Sequence, residues 1–157
     1  MTPIKFIRKS LLITCCLVTL SAGAFANAND DNFTVSDKLL KEFKQTFPDA
    51  QQVKWAEQED KYMVNFKQGE ILTKIVYDKD GNFLSSLRYY TEKNLPVSIL
   101  CKLQKKYADK SVFGVTEMTT ESGVEFYIKM EDVNNWYTIR SNSDGSMATI
   151  EKYKKAN

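Results

Sequence analysis

Histidine is absent from this sequence of 157 residues. The imidazole ring is the usual base that activates a serine or cysteine nucleophile, so its absence removes the Ser-His and Cys-His forms of covalent catalysis. It also removes the commonest metal ligand and the best proton carrier near neutral pH. The sequence therefore favours a non-catalytic protein, and we expect no cofactor and no metal site.

Cysteine is scarce, with three residues in the chain. Cys15 and Cys16 lie in an N-terminal segment that we expect to be removed, so Cys101 alone would remain and no intramolecular disulfide could form. A lone cysteine in an exported protein is more often a small apolar side chain in the core than a reactive group. We therefore expect Cys101 to be buried, and we expect the core alone to stabilise the domain.

The first 26 residues have the layout of a secretory signal peptide. Three basic residues between positions 5 and 9 precede an apolar run at residues 11–20, and Ala-Phe-Ala at residues 24–26 fits the rule for cleavage. A membrane anchor is an alternative, but the run is shorter than the roughly 20 residues of a spanning helix. A lipoprotein is another, but Cys15 lies in the middle of the run. We expect cleavage and a periplasmic or secreted protein without stable membrane insertion.

Positive and negative charges are nearly balanced, with 22 basic and 20 acidic side chains. The expected cleavage removes three basic residues and no acidic one, which leaves 19 against 20 and a net charge of −1. Nucleic-acid binding rewards a clear basic excess. We therefore expect the partner to be neither a nucleic acid nor a membrane surface.

Two segments of the chain, 60 residues apart, repeat one apolar pattern. The spacing i, i+1, i+4, i+8 forms a single helical stripe, and it is found at Leu39, Leu40, Phe43 and Phe47, and again at Ile99, Leu100, Leu103 and Tyr107. Alternating apolar and polar residues follow each stripe, as in half-buried strands. An Asp-Gly pair follows in each case, at residues 80–81 and 144–145, and is typical of a hairpin turn.

This pattern predicts an α+β fold made of two tandem units, each a helix followed by four antiparallel strands. After a disordered segment at residues 27–35, the first unit spans residues 36–90 and the second residues 95–154. The two units could join into one sheet with both helices on one face. The offset between the copies grows from 60 to 64 residues, which predicts a longer loop in the second unit near residues 119–123.

Several short motifs also resemble those of one protein family. A helix ending in Phe-Pro-Asp-Ala at residues 47–50 is followed by Val-x-Trp at 53–55, Tyr-x-Val-x-Phe at 62–66 and Tyr-Asp-x-Asp-Gly at 77–81. With the export signal and a Leu-Pro pair at 95–96, the chain resembles the β-lactamase-inhibitor-like, PepSY-like envelope proteins of Bacteroidetes over roughly residues 36–154. The resemblance implies tandem helix-plus-four-strand units and a periplasmic or secreted location. It does not imply inhibition of a β-lactamase, because the family is named for its fold and not for an activity.

Three polar groups have structural interpretations that we prefer to chemical ones. The Asp78-x-Asp80-Gly81 sequence lacks the glutamate at position twelve of a calcium loop, so we interpret it as a plain hairpin. The acidic cluster at residues 57–60, Glu-Gln-Glu-Asp, is expected to be a solvated loop, because a catalytic carboxylate pair needs one shielded member. The lysines at 105–106 and near the C-terminus are interpreted as solvated surface.

Strand alternation predicts a sheet face turned away from the helices. We place on it Met63, Leu72, Lys74, Val76, Arg88 and Tyr90 from the first unit, and Tyr127, Lys129, Trp136, Arg140 and Ile150 from the second. Aromatic residues mixed with arginine are typical of protein interfaces, although such residues also occur as plain cover of an open face. The predicted partner-binding residues are Trp136, Arg140, Tyr127, Tyr90, Arg88 and Lys74, with Trp136, Arg140 and Tyr127 in one patch.

These observations together lead to a functional hypothesis. We expect an exported, non-catalytic binding module that docks an envelope protein or a peptide through the open sheet face. The alternative is a structural or assembly protein that self-associates through open sheet edges. An enzyme or small-ligand carrier is less favoured, because the sequence has no obvious grouping of convergent polar residues.

Overall fold

The computed structural model describes residues 34–156. Two helices and eight strands follow one another as α1 (Asp37–Thr46), β1 (Gln51–Gln58), β2 (Lys61–Gln68), β3 (Ile71–Asp78), β4 (Phe83–Tyr90), α2 (Val97–Lys106), β5 (Ser111–Thr120), β6 (Gly123–Glu131), β7 (Asn135–Asn142) and β8 (Met147–Lys154). A short 3-10 helix at Glu92–Asn94 precedes α2. The expected signal peptide lies outside the described residues. Within them, neither helix has the length and apolar character needed to cross a membrane.

All eight strands form one antiparallel sheet in sequence order, from β1 at one edge to β8 at the other. The predicted α+β class is confirmed. The two halves of the chain meet where β4 pairs with β5, from Ser85 opposite Thr120 to Tyr90 opposite Val115. The sheet is therefore continuous across the connection that contains α2.

Both helices begin and end where the local sequence allows it. The Ser36 side chain accepts a hydrogen bond from the Leu39 backbone N–H at 3.3 Å and so caps the start of α1. Pro48 follows its C-cap residue, Phe47, and cannot continue the helix. Pro96 is the N-cap residue of α2, a position near the helix start where a missing N–H costs little.

The helices cover the same face of the sheet. Phe43 of α1 packs with Val64, Phe66 and Ile75, whereas Ile99 and Leu103 of α2 pack with a larger cluster that includes Phe126, Ile128 and Ile139. Directly paired residues point to the same side of a sheet. One line of direct pairs joins the two clusters and runs through Phe66, Thr73, Arg88, Glu117, Phe126 and Ser141. We call this side the helix side and the opposite side the outer face.

The predicted long loop near residues 119–123 is wrong. The β1–β2 hairpin and the β5–β6 hairpin both turn over two residues, at 59–60 and 121–122. Trp55 pairs with Val64, nine residues on, whereas Val115 pairs with Ile128, thirteen residues on. The four extra residues lengthen the strands of the second hairpin instead of its loop. The threonine-rich sequence at residues 116–120 does not distinguish a strand from a loop.

Two residues expected to be buried are exposed. Cys101 is exposed, because successive helix residues are about 100° apart and position 101 lies opposite the stripe that contains Ile99. The strand alternation that places Trp55 under the helices also predicts Val53 there, but Val53 is exposed. It lies in a β-bulge, where the β1–β2 register shifts between Gln51 and Lys54.

Candidate partner-binding face

Within residues 34–156, α1 and α2 both pack on the helix side of the sheet and leave the outer face uncovered by either helix. Four of the predicted binding residues lie on it: Lys74, Tyr127, Trp136 and Arg140. Lys74, Tyr127 and Arg140 each alternate with neighbours that are buried on the helix side, as Lys74 does with Thr73 and Ile75, and Trp136 precedes the buried Tyr137. Strand alternation alone was therefore enough to place these four.

Tyr127 and Arg140 are direct partners across β6 and β7, so their side chains are neighbours. Trp136 lies apart from them. It is four residues from Arg140 along β7, and at about 3.3 Å per residue the two are about 13 Å apart. The predicted single patch is therefore two patches.

Trp136 belongs to an aromatic cluster at one end of β7. Its ring meets the Phe113 ring edge-on, with centroids 5.1 Å apart, and Tyr153 is its direct partner on β8. The Lys155 ammonium lies 5.0 Å from the Trp136 ring centroid. We call Phe113, Trp136 and Tyr153 the aromatic corner. Phe113 was missed because it lies in the β-bulge between Val112 and Gly114.

Arg88 and Tyr90 lie on the helix side, contrary to the prediction that placed them on the outer face. Arg88 pairs with Thr73, which is buried beside the first core cluster, and Tyr90 is 6% exposed. The cause is a β-bulge in β4. Phe83 pairs with Tyr77 and Ser85 with Val76, so Leu84 is an extra residue that reverses the alternation beyond it. Leu87 and Tyr89 take the outer positions instead.

Arg88 and Tyr90 make a polar contact between the two halves of the sheet. Arg88 donates a hydrogen bond to Glu117 Oε1 at 2.9 Å, and the Tyr90 hydroxyl donates to Glu117 Oε2 at 2.6 Å. Burial, together with the adjacent Glu117 carboxylate, raises the pKa of Tyr90 well above its ordinary value. The phenol therefore stays protonated and serves as a structural donor to the Glu117 carboxylate.

One transverse line of residues crosses the middle of the outer face. Direct pairing links Leu72, Tyr89, Thr116, Tyr127 and Arg140, and we call these five residues the central row. Leu72 is 52% exposed and Tyr89 43% exposed. A shallow depression of about 330 Å³ adjoins the row and includes Gln52, Lys67, Leu72 and Tyr89 in its lining.

Acidic groups on the outer face have local partners. Glu151 binds the Thr138 hydroxyl and the Lys129 ammonium, and these contacts lower its pKa. Glu131 accepts a hydrogen bond from Lys155 at 2.7 Å. The Tyr127 hydroxyl donates to Glu125 at 2.9 Å, a contact that raises the pKa of Tyr127.

Several basic groups on the same face have no such partner. Within residues 34–156, no carboxylate forms an ion pair with Lys54, Lys67, Lys74 or Arg140. Lys54 and Lys74 are both direct partners of Asn65, one on each side of it, in the line of pairs next to the central row. Lys67 pairs with Leu72 and so extends the central row at the end opposite Arg140. The middle of the outer face is therefore apolar and aromatic with unpaired positive charges around it.

The described residues contain no group of three or more cysteine, aspartate, glutamate or histidine side chains placed to hold a metal ion. The arrangement on the outer face can bind through apolar contact, hydrogen bonds and charge.

Comparison with known proteins identifies the fold. No family model and no curated protein matches the sequence. Among solved structures, a BLIP-like protein from Bacteroides fragilis is 18% identical, with a TM-score of 0.57 over 82% of this chain and 92% of that one. A protein from Bacteroides eggerthii, assigned to the periplasm by inference, is 15% identical, with a TM-score of 0.56 over 78% and 90% of the two chains.

A third structure, a DUF2874 family protein from Bacteroides ovatus, is 18% identical, with a TM-score of 0.56 over 78% of this chain and 89% of that one. At these identities the likeness extends to the fold. It agrees with the family that the sequence motifs resemble. The chain therefore has the fold of the BLIP-like and DUF2874 proteins of Bacteroides.

Proposed function

We propose that this protein is an exported, non-catalytic binding module of the bacterial envelope, which docks a protein or a peptide on the outer face of its sheet. The observation that carries the proposal is the central row, which neither helix covers, with its exposed Leu72 and Tyr89 and with Arg140, which has no ion pair within residues 34–156. Tyrosine and arginine are the residues most enriched, with tryptophan, where protein interfaces gain their affinity.

The absence of histidine and the character of the structural neighbours support a non-catalytic role in the envelope. The chain has no imidazole to activate a nucleophile. One neighbour is described as BLIP-like, and another is assigned to the periplasm by inference. Together with the N-terminal signal-like sequence, these likenesses favour a periplasmic or secreted location.

The proposal includes a duplicated architecture, with each half of the chain a copy of one helix-plus-four-strand unit. Each half has the same order of elements. Phe43 and Leu103 have the same place in the apolar stripes of their helices, and both are buried. The two halves differ on the outer face, where Leu72 of the first half corresponds to Trp136 of the second.

Assembly through the sheet edges is the alternative, and the edge strands make it less favourable. β1 is interrupted by a bulge in which Gln52 has a positive φ of 53°. β8 has a bulge opposite Thr138 and Ile139, and carries Lys152 and Lys154. Bulges and lysines on an edge strand oppose edge-to-edge pairing. Sedimentation of the purified protein as a monomer would count against the alternative.

Site-specific photocrosslinking tests the proposal. Benzoylphenylalanine is placed at position 127, in the central row, and in a matched protein at position 97, where Val97 of α2 is 75% exposed on the helix side. In the native envelope, position 127 is expected to crosslink to one partner protein that position 97 does not reach. A partner that crosslinks from position 97 alone would show that the outer face is not the binding face.

A further inference from the structure

On the outer face, the acidic side chains have partners within the protein, whereas several basic side chains have no ion pair within residues 34–156. This difference indicates the chemistry of the partner. Glu125, Glu131 and Glu151 each have a hydrogen-bonding partner within the protein. Lys67, Lys74 and Arg140 have no ion pair with any carboxylate of residues 34–156. Bringing an apolar partner over unpaired cations would remove them from water without compensation. A partner with carboxylates would supply that compensation.

The positions of the cations set the layout that such a partner must have. Lys67 and Arg140 lie in the same row of direct pairs as Leu72, Tyr89 and Tyr127, one on either side of these three residues. Five strand spacings of about 4.8 Å separate them, or about 24 Å in all. Lys74 lies beside the row on β3, two residues from Leu72 and on the same face of the sheet. The apolar and aromatic residues therefore lie between basic groups.

We propose that the central row binds an acidic segment of a partner protein, with apolar side chains placed between its carboxylates. This inference rests on the proposed function and specifies its partner. The carboxylates pair with Lys67, Lys74 and Arg140, and the apolar side chains cover Leu72 and Tyr89. Charge of this kind selects the partner and speeds encounter, whereas the aromatic contacts supply most of the affinity.

A protein segment fits these observations better than a phosphate polyanion. Phosphate surfaces reward one dense group of basic residues. Here Lys54, Lys67 and Lys74 lie around Asn65, but Arg140 is separated from them by the apolar and aromatic side chains of the central row. Glu125 lies on the same face and, unlike Glu131 and Glu151, has no ion pair within residues 34–156, so its charge would oppose a uniformly negative surface. Lipid and nucleic acid are therefore outcomes that the test must distinguish.

The experiment uses the purified protein and a random copolymer of glutamate and tyrosine, compared with polyglutamate, polylysine, phosphatidylglycerol vesicles and an oligonucleotide. We expect the copolymer to bind most tightly. Lys67→Glu combined with Lys74→Glu should weaken its binding by about tenfold or more, because attraction is replaced by repulsion. The control is Lys44→Glu combined with Lys105→Glu, which makes the same change of net charge on the helices and should alter binding by less than about twofold.

Three results would overturn the inference. The protein could bind polylysine as tightly as the copolymer, or the two double variants could lose the same amount of copolymer binding. The third result is binding to vesicles or to the oligonucleotide that depends on Lys67 and Lys74 as strongly as copolymer binding does. Melting temperatures of both double variants check that they fold. Suppose that a partner captured from position 127 binds the Lys67→Glu, Lys74→Glu protein as tightly as wild type. The proposed function would then stand, and the inference that the partner contributes an acidic segment would be wrong. Failure to capture any partner from position 127 would remove the proposed function itself.

Discussion

The Asp132 carboxylate organises the turn between β6 and β7. Its Oδ1 accepts hydrogen bonds from the Asn134 and Asn135 backbone N–H groups at 2.8 and 2.7 Å, and its Oδ2 accepts one from the Tyr137 hydroxyl. These contacts, led by the Tyr137 hydroxyl, lower the pKa of Asp132 far below its ordinary value of 3.8. Folding therefore stabilises the charged form of Asp132 relative to its protonated form.

A pH dependence of stability follows from this shift. A carboxyl whose pKa is lowered by folding stabilises the protein above its ordinary pKa, and that contribution is lost as the pH falls through the lowered value. We expect Asp132→Asn to lower the melting temperature at about pH 7, with the difference from wild type shrinking at about pH 3 and below. Melting curves across this range provide the measurement. A difference that is the same at every pH would show that the charge of Asp132 has no such role.

Tyr90 gives a second prediction at the residue scale, one that separates the helix side from the outer face. Tyr90→Phe removes the hydroxyl that donates to Glu117 and leaves the ring in the core. Because hydrogen bonds to charged groups contribute more than neutral ones, we expect a loss of about 1–3 kcal/mol in the free energy of unfolding.

Partner binding is the control for this variant. Since Tyr90 is buried on the helix side, Tyr90→Phe should bind the partner as wild type does. Denaturant titration and a binding titration measure the two effects on the same protein. Unchanged stability combined with weaker binding would mean that Tyr90 acts at the interface after all.

At the scale of the elements, each helix stabilises its own half of the sheet through one central side chain. Phe43 and Leu103 are both buried, beside Phe66 and Ile128 respectively. Truncating either to alanine removes a large buried side chain and leaves a cavity, so each variant should lose roughly 2–5 kcal/mol of unfolding free energy.

Cys101→Ser is the matched control on α2, because Cys101 is exposed. It should leave both the melting temperature and partner binding near wild type. Thermal melts of the three variants provide the comparison. A Phe43→Ala protein that melts like wild type would contradict the equivalence of the two helices.

The sequence predicted the elements better than it predicted their faces. Apolar spacing placed both helices and all eight strands, and the alternation of β2, β3, β6 and β7 identified Lys74, Tyr127, Trp136 and Arg140 correctly as outer residues. It failed for β4, because the extra residue Leu84 reverses the alternation, and no residue type marks this bulge. Tyr89 was therefore missed in favour of its neighbour Tyr90.

The distance between Trp136 and Arg140 was misjudged for a different reason. Alternation states which face a residue lies on, but proximity also depends on register and on position along the strand. The pairing of Tyr127 with Arg140, and of Trp136 with Tyr153, separates them into the central row and the aromatic corner.

At the scale of the whole chain described, residues 34–156, the decisive feature is the difference between the two sides of one sheet. The helix side buries nearly all of the core residues. The outer face leaves Leu72, Tyr89, Phe113 and Tyr153 exposed to solvent, with Trp136 half-buried between the last two. Pairing of β4 with β5 makes this face continuous, so a single partner could contact residues from both halves.

A binding titration of the partner captured from position 127 tests this account most directly. The proteins compared are wild type, Tyr89→Ala, Trp136→Ala and the helix-side control Val97→Ala, all shown to melt near wild type. We expect Tyr89→Ala and Trp136→Ala each to weaken binding by about 2 kcal/mol or more, as truncated interface aromatics do, and Val97→Ala to bind as wild type does. If both outer-face variants bind as tightly as wild type, the outer face is not the binding face, and the loops or the sheet edges must be.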